Sequence, residues 1–269
     1  MEERTDSAAF APTVLQSWSQ RQNLLPGLAL LTLATAGWAY VAYEAAFMEN
    51  MGSTMGAMAM GSIEGLVLFL SAWTAMMVAM MVPATLPLIL LYRTIARNRL
   101  SPARARVGMV VLLAGYLVVW AAAGIPVYAY VLFSEGAGPL ATVLPASLLV
   151  IGGLYQFTPL KGACHARCSS PLFFLLQNWR SGPTGALRLG VVHGVDCLGC
   201  CVGLMVGLVA LGMMNLTWML TAAVIIFAEK TIPNSHRIAR PLGVVMVAGG
   251  VMLLATALLG GMAPGMESM

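Results

Sequence analysis

The chain alternates between long apolar stretches and short polar or glycine-rich ones, with no region of sustained strand-like alternation. Runs of roughly 20 mostly apolar residues are what a helix needs to cross a bilayer, and the pattern predicts about seven of them. They fall near Leu24 to Tyr43, Ile63 to Tyr92, Val107 to Phe133, Leu140 to Phe157, Gly185 to Met213, Leu216 to Ala228 and Pro241 to Gly260. The second exceeds the membrane thickness and contains Pro83 and Pro87, which predicts a kink or tilt near one end. The sixth is short. The longest stretch between spans, 158 to 184, is too short to fold independently and is read as a connecting loop.

Composition removes the main alternatives. Of 269 residues, 59% are hydrophobic and 9% charged, and the mean hydropathy is +0.85. A soluble domain carries about 25% charged residues, and a disordered one has low hydrophobicity with high net charge, so neither describes this chain. The expected fold is an all-α polytopic transmembrane bundle. A polar tail at 1–23 precedes a helical domain at 24–261, and an outer tail occupies 262–269. The opening MEERTDSAAF has no arginine-rich n-region followed by a cleavage site, so no cleaved signal peptide is expected.

Charge placement adds an orientation. With the amino terminus in the cytoplasm and the carboxyl terminus outside, all 14 Lys and Arg residues fall on the inner side, from Arg4 and Arg21 to Arg237 and Arg240. The outer segments carry Glu44, Glu49, Glu135 and Glu267 instead. The basic residues therefore report topology in a multi-pass protein of the cytoplasmic membrane. Without an aromatic-interleaved basic patch or a soluble module, no nucleic-acid partner is expected.

Sulfur is the unusual component: 20 Met and five Cys, beside three His. In HGVDCLGCCVGLM, residues His193, Cys197, Cys201 and Met205 recur at every fourth position and share a slowly drifting helix face, with Cys200 beside them and Asp196 at its edge. An ionisable residue inside a span is a functional candidate. The preceding segment KGACHARCSS adds Cys164, His165 and Cys168. Thiols, imidazoles and thioethers are ligands for Cu(I), and thiolates with imidazole also suit zinc. A reducing cytoplasmic side disfavours disulfides as the competing use.

Methionines form two further groups. Met48, Met51, Met55, Met58 and Met60 lie in the glycine-rich outer segment, where little else is available for them to pack against. Met76, Met77, Met80 and Met81 pair at i, i+4 inside the second span, where packing competes evenly with a ligand role. Gly199, Gly203 and Gly207 form a ridge expected to serve helix packing. Glu229 and Lys230 are sequence neighbours and do not face one another, and the sequence assigns neither a partner. No H-E-x-x-H, G-x-S-x-G or Walker motif is present.

The motifs WTAMMVAMMVP (Trp73 to Pro83), GLYQFTPLKGAC (Gly153 to Cys164) with Cys168, HGVDCLGCC (His193 to Cys201) and MMNLTWM (Met213 to Met219) occur in this order, followed by Glu229-Lys230. In this combination the chain resembles the bacterial domain-of-unknown-function family 2182, over about 63–232. That resemblance implies a metal-binding integral membrane protein with a cysteine-rich site. A Met-rich exterior with M-x-x-x-M in a span is similar, in pattern alone, to the eukaryotic copper transporters.

The reading that follows is Cu(I) handling, as a transporter or membrane metallochaperone, with zinc as the other metal. The expected partners are the lipid bilayer and a soluble or periplasmic metal carrier or a second membrane subunit. The alternative is a membrane oxidoreductase that uses the thiols or a bound metal on a hydrophobic substrate. A third reading is a structural subunit whose sulfur only packs.

Overall fold

The computed structural model describes residues 21–51, 61–212, 215–231 and 236–260, and these are helical with no strand. The order is α1 (Arg21–Met51), α2 (Ile63–Arg99), α3 (Pro102–Gly136), a 3-10 turn (Gly138–Ala141), α4 (Val143–Tyr155), α5 (Pro159–Cys168), α6 (Pro171–Asn178), α7 (Pro183–Leu211), α8 (Leu216–Thr231) and α9 (His236–Gly260). Local chemistry explains several boundaries. Ser62 caps α2 by accepting a 3.0 Å hydrogen bond from the Gly65 amide, with Glu64 in the first turn and Arg97 and Arg99 in the last. Those charges complement the helix dipole at both ends. Prolines at the first positions of α3, α5, α6 and α7 cost no hydrogen bond there.

Five helices are long and apolar enough to cross a membrane, in α1, α2, α3, α7 and α9, and a sixth span results if α4 and α5 count as one. Those two are bent by 68° at the break between them. The expected sixth span exists as α8, but its 16 residues extend only about 24 Å at 1.5 Å each. The expected loop over 158–184 is corrected more substantially. It contains α5 and α6, so KGACHARC lies on a helix. Thr158 begins it by accepting from the Lys161 amide, a local capping signal inside a segment whose polarity suggested a loop. Pro83 and Pro87 are both accommodated within α2.

The outer surface is what a bilayer requires. Val244, Val245, Val251, Met252, Leu258 and Leu259 of α9 are exposed, as are Val110, Val118 and Ile125 of α3. Water would penalise an apolar surface this continuous.

The organising helix is α7, which packs against α3, α4, α5 and α8. Small residues allow close approach on several sides. A Cβ on Gly152 of α4 would stand 2.6 Å from the Gly203 carbonyl oxygen, and one on Gly203 2.8 Å from that of Gly152. Gly199 faces Cys164, and Gly207 faces Met246 of α9. The glycine ridge thus serves packing, as expected, and it brings α4, α5 and α9 onto one flank of α7.

Two buried cores result. One contains Met76, Met77, Met80 and Met81 with Met205, Met219, Met246 and all five cysteines. The other joins Leu30, Val82, Leu86, Leu88, Ile89, Leu112, Leu175 and Leu189 around Tyr92 and Phe174, and contains no sulfur among its buried members.

Candidate metal centre

All five cysteines are free thiols and buried. The sulfurs of Cys168, Cys197 and Cys200 lie within 4.8 Å of one another. The Cys201 sulfur is 3.4 Å from that of Cys200. Two helices build this cluster. His193, Cys197 and Cys201, each four apart, span about 12 Å along the axis of α7, so that face alone cannot close three ligands on one ion. Cys168, the last residue of α5, supplies the sulfur that completes the group.

The donor set fits a soft metal ion. A metal held by three thiolates at about 2.3 Å in a plane places the sulfurs about 4 Å apart, inside the observed limit. The surroundings are polar in a specific way. Lys230 of α8 directs its ammonium to Cys197 at 2.8 Å, and the Tyr116 hydroxyl of α3 lies 3.2 Å from the same sulfur. Cys200 donates to the Cys197 carbonyl at 3.1 Å. Burying thiolates without compensating charge is costly, and a cation in contact supplies it.

Two ion pairs tie the elements around the cluster. Arg167 Nε is 3.1 Å from Asp196 Oδ1, joining α5 to α7. Lys161 Nζ is 2.9 Å from Glu229 Oε2, joining α5 to α8, and Lys161 also donates to Gln156 Oε1 at the α4–α5 break. Tyr155 donates to the Gly199 carbonyl at 2.6 Å and braces the same break. Glu229 and Lys230, adjacent in sequence, have separate partners in Lys161 and Cys197.

The residues singled out in the sequence are not all brought together. Cys168, Cys197 and Cys200 form the group, with Cys201 alongside. Cys164 is buried on α5 against Gly199, with the Arg167 guanidinium 3.8 Å from its sulfur. His165 is half-buried on the same helix and lies outside the thiol group. Asp196 is committed to Arg167. His193 is buried one turn before Cys197, with ring contacts to Tyr116 at 5.8 Å and Phe174 at 5.2 Å. Its Nδ1 is buried with no hydrogen-bond partner among the described residues, as is Nε1 of Trp120. Met76, Met77, Met80 and Met81 are buried in the same core as the thiols. Met48, Met51, Met55, Met58 and Met60 fall in a segment whose side chains lie outside the described residues.

Sequence reasoning gave Lys230 no partner and did not single out Tyr116. The signal for Lys230 was a cation at the end of an apolar helix, which demands a counter-charge. Tyr116 sits in the apolar run of α3 and carries no such signal.

Membrane-length apolar helices around a buried cluster of thiols define a class: helical proteins of membrane-spanning composition with a site suited to a soft metal ion. Within that class the chain belongs to the copper chaperone family PpoB2, which it matches over residues 70–253. The match names PpoB2 and not family 2182. It covers α3 to α8 completely, together with most of α2 and α9. No curated protein and no solved structure matches the chain.

Proposed function

We propose that the protein is a membrane copper chaperone that takes Cu(I) on Cys168, Cys197 and Cys200 and passes it to a partner by ligand exchange. The observation that carries this reading is the three-sulfur group with the Lys230 ammonium against one of its members. Soft thiolates select Cu(I) among the common ions, and family membership points the same way. Zinc closes its structural sites with four ligands, so a three-sulfur site suits it less well.

The ion is cargo in this reading, and an incompletely wrapped ion is one that an incoming thiol can reach. Binding requires deprotonated thiols, so loading releases protons. Lys230 balances part of the negative charge left at the site, and Tyr116 offers a hydroxyl to the Cys197 sulfur. The methionines of α2 share the buried core with the thiols and offer weaker sulfur ligands along the approach. In the bilayer the cation-bearing segments face the cytoplasm, which puts the thiol centre toward the reducing side, with seven spans if α8 and the α4–α5 pair each complete one. The positive-inside distribution of all 14 cations supports this orientation.

Anaerobic loading of the purified protein with Cu(I), followed by elemental analysis and X-ray absorption, tests the proposal. About one copper per chain with three sulfur ligands is expected, at distances near 2.3 Å. Cys197→Ser with Cys200→Ser should abolish retention. A wild-type protein that holds no copper, or a double variant that retains it equally, would overturn the reading.

A further inference from the structure

The charged residues around the thiols follow a pattern in sequence as well as in space. Arg167 immediately precedes Cys168, and Asp196 immediately precedes Cys197. Their ion pair therefore couples α5 to α7 at the level where the two helices contribute sulfur. At the other end of α5, Lys161 pairs with Glu229, the neighbour of Lys230. The ten-residue helix that delivers Cys168 is thus tied at both ends.

The two ties differ in kind. Side chains of Lys161 and Glu229 are 5% and 3% exposed, whereas Arg167 is 56% exposed and Asp196 7%. A buried pair is costly to separate because each partner would be left uncompensated. An ion pair with one well-exposed partner holds weakly, since water can solvate the released cation. The start of α5, beside the 68° break, is therefore the fixed end, and the Cys168 end is the one that can open.

We propose that Arg167 and Asp196 are a positioning pair: their contact holds Cys168 onto Cys197 and Cys200, and its opening exposes Cys168 and releases the ion. The inference rests on the copper-binding reading above for its purpose, though its geometry holds without metal. No electron moves in the step. Cu(I) exchanges the Cys168 sulfur for a thiol sulfur of the recipient and keeps its oxidation state; the recipient's proton passes to Cys168, and the Arg167 guanidinium moves into solvent while Asp196 keeps its buried place on α7. Asp196 acts here through Arg167, and it need not touch copper.

The test has a metal-free arm and a metal-loaded arm, both on the full chain. In the first, reduced protein is pulsed with N-ethylmaleimide and modification at each cysteine is followed by mass spectrometry. Arg167→Gln should speed modification of Cys168 by about fivefold, the upper end of what a pair with one well-exposed partner is worth. Exchanging the charges, Arg167→Asp with Asp196→Arg, should restore the wild-type rate. In the second arm, Cu(I) release to the chelator bathocuproine disulfonate should be faster by about the same fivefold in Arg167→Gln, with the copper stoichiometry unchanged. A Cys168 rate in Arg167→Gln equal to wild type, or a charge exchange that fails to restore it, would overturn the proposal. Faster modification with no faster release would overturn the pair's role in handing over copper. If wild-type protein binds no copper, the chaperone reading fails and the maleimide arm alone still decides whether the pair positions Cys168.

Discussion

The two buried cores solve the same packing problem with different atoms. Around Tyr92 and Phe174, leucine, isoleucine and valine exclude solvent completely: Leu90 lies in this part of α2 at 0% exposure, as does Val82. Earlier on the same helix, Met77 and Met81 reach the same burial in the core that also holds the cysteines. The aliphatic region shows that α2 can be buried without sulfur, so the concentration of sulfur in the other region is not a requirement of packing. Polarity follows the same division. The sulfur-rich side has Lys230 and Tyr116 on one sulfur and two ion pairs on its flanking helices.

That contrast can be broken from the aliphatic side with the largest effect on stability. Leu88→Ala leaves a cavity at a site 2% exposed, and should cost about 2–5 kcal/mol. Copper stoichiometry should survive in the fraction that remains folded, as measured by denaturation and metal analysis on the same sample. A comparable loss of copper per folded chain would mean that the two cores are not separate. On the sulfur-rich side, Lys230→Met keeps the length of the side chain and removes its charge. An effect of about 10–100-fold on Cu(I) affinity is expected, read by competition with a chelator, with a smaller effect on the melting temperature. Unchanged affinity would remove Lys230 from the site. The smallest effect should come from Met77→Leu with Met81→Leu, near volume-conserving changes that cost less than about 1.5 kcal/mol each. Copper per chain should stay the same while loading slows severalfold, which stopped-flow mixing with a Cu(I) donor would show. Equal loading rates would assign those thioethers to packing alone.

Much of the fold could be read from hydrophobic run length, because a bilayer demands long apolar helices and leaves few other solutions. The glycine ridge on α7 was legible for the same reason, since Gly199, Gly203 and Gly207 recur on one face. The site was legible in its residue types and less so in its geometry. Helical spacing placed His193, Cys197 and Cys201 along one face, but these residues climb the helix axis and cannot converge on a point. Convergence needs Cys168, and that depends on α5 being a helix bent by 68° from α4. Thr158, Pro159 and Lys161 start that helix, yet the direction of the bend is set by tertiary contacts: Tyr155 to the Gly199 carbonyl and Lys161 to Glu229. The partners of Asp196 and Lys230 were hidden for the same reason, since both lie on other helices.

The Lys230 contact to Cys197 spans 33 residues of chain. At about 5–20 residues per second, the ribosome adds that length in roughly 2–7 s. For that interval a nascent chain has all its thiols and none of the positive charge that α8 brings to them. The centre is therefore completed late in synthesis, and a chain halted before α8 would present clustered sulfur with no ammonium beside it.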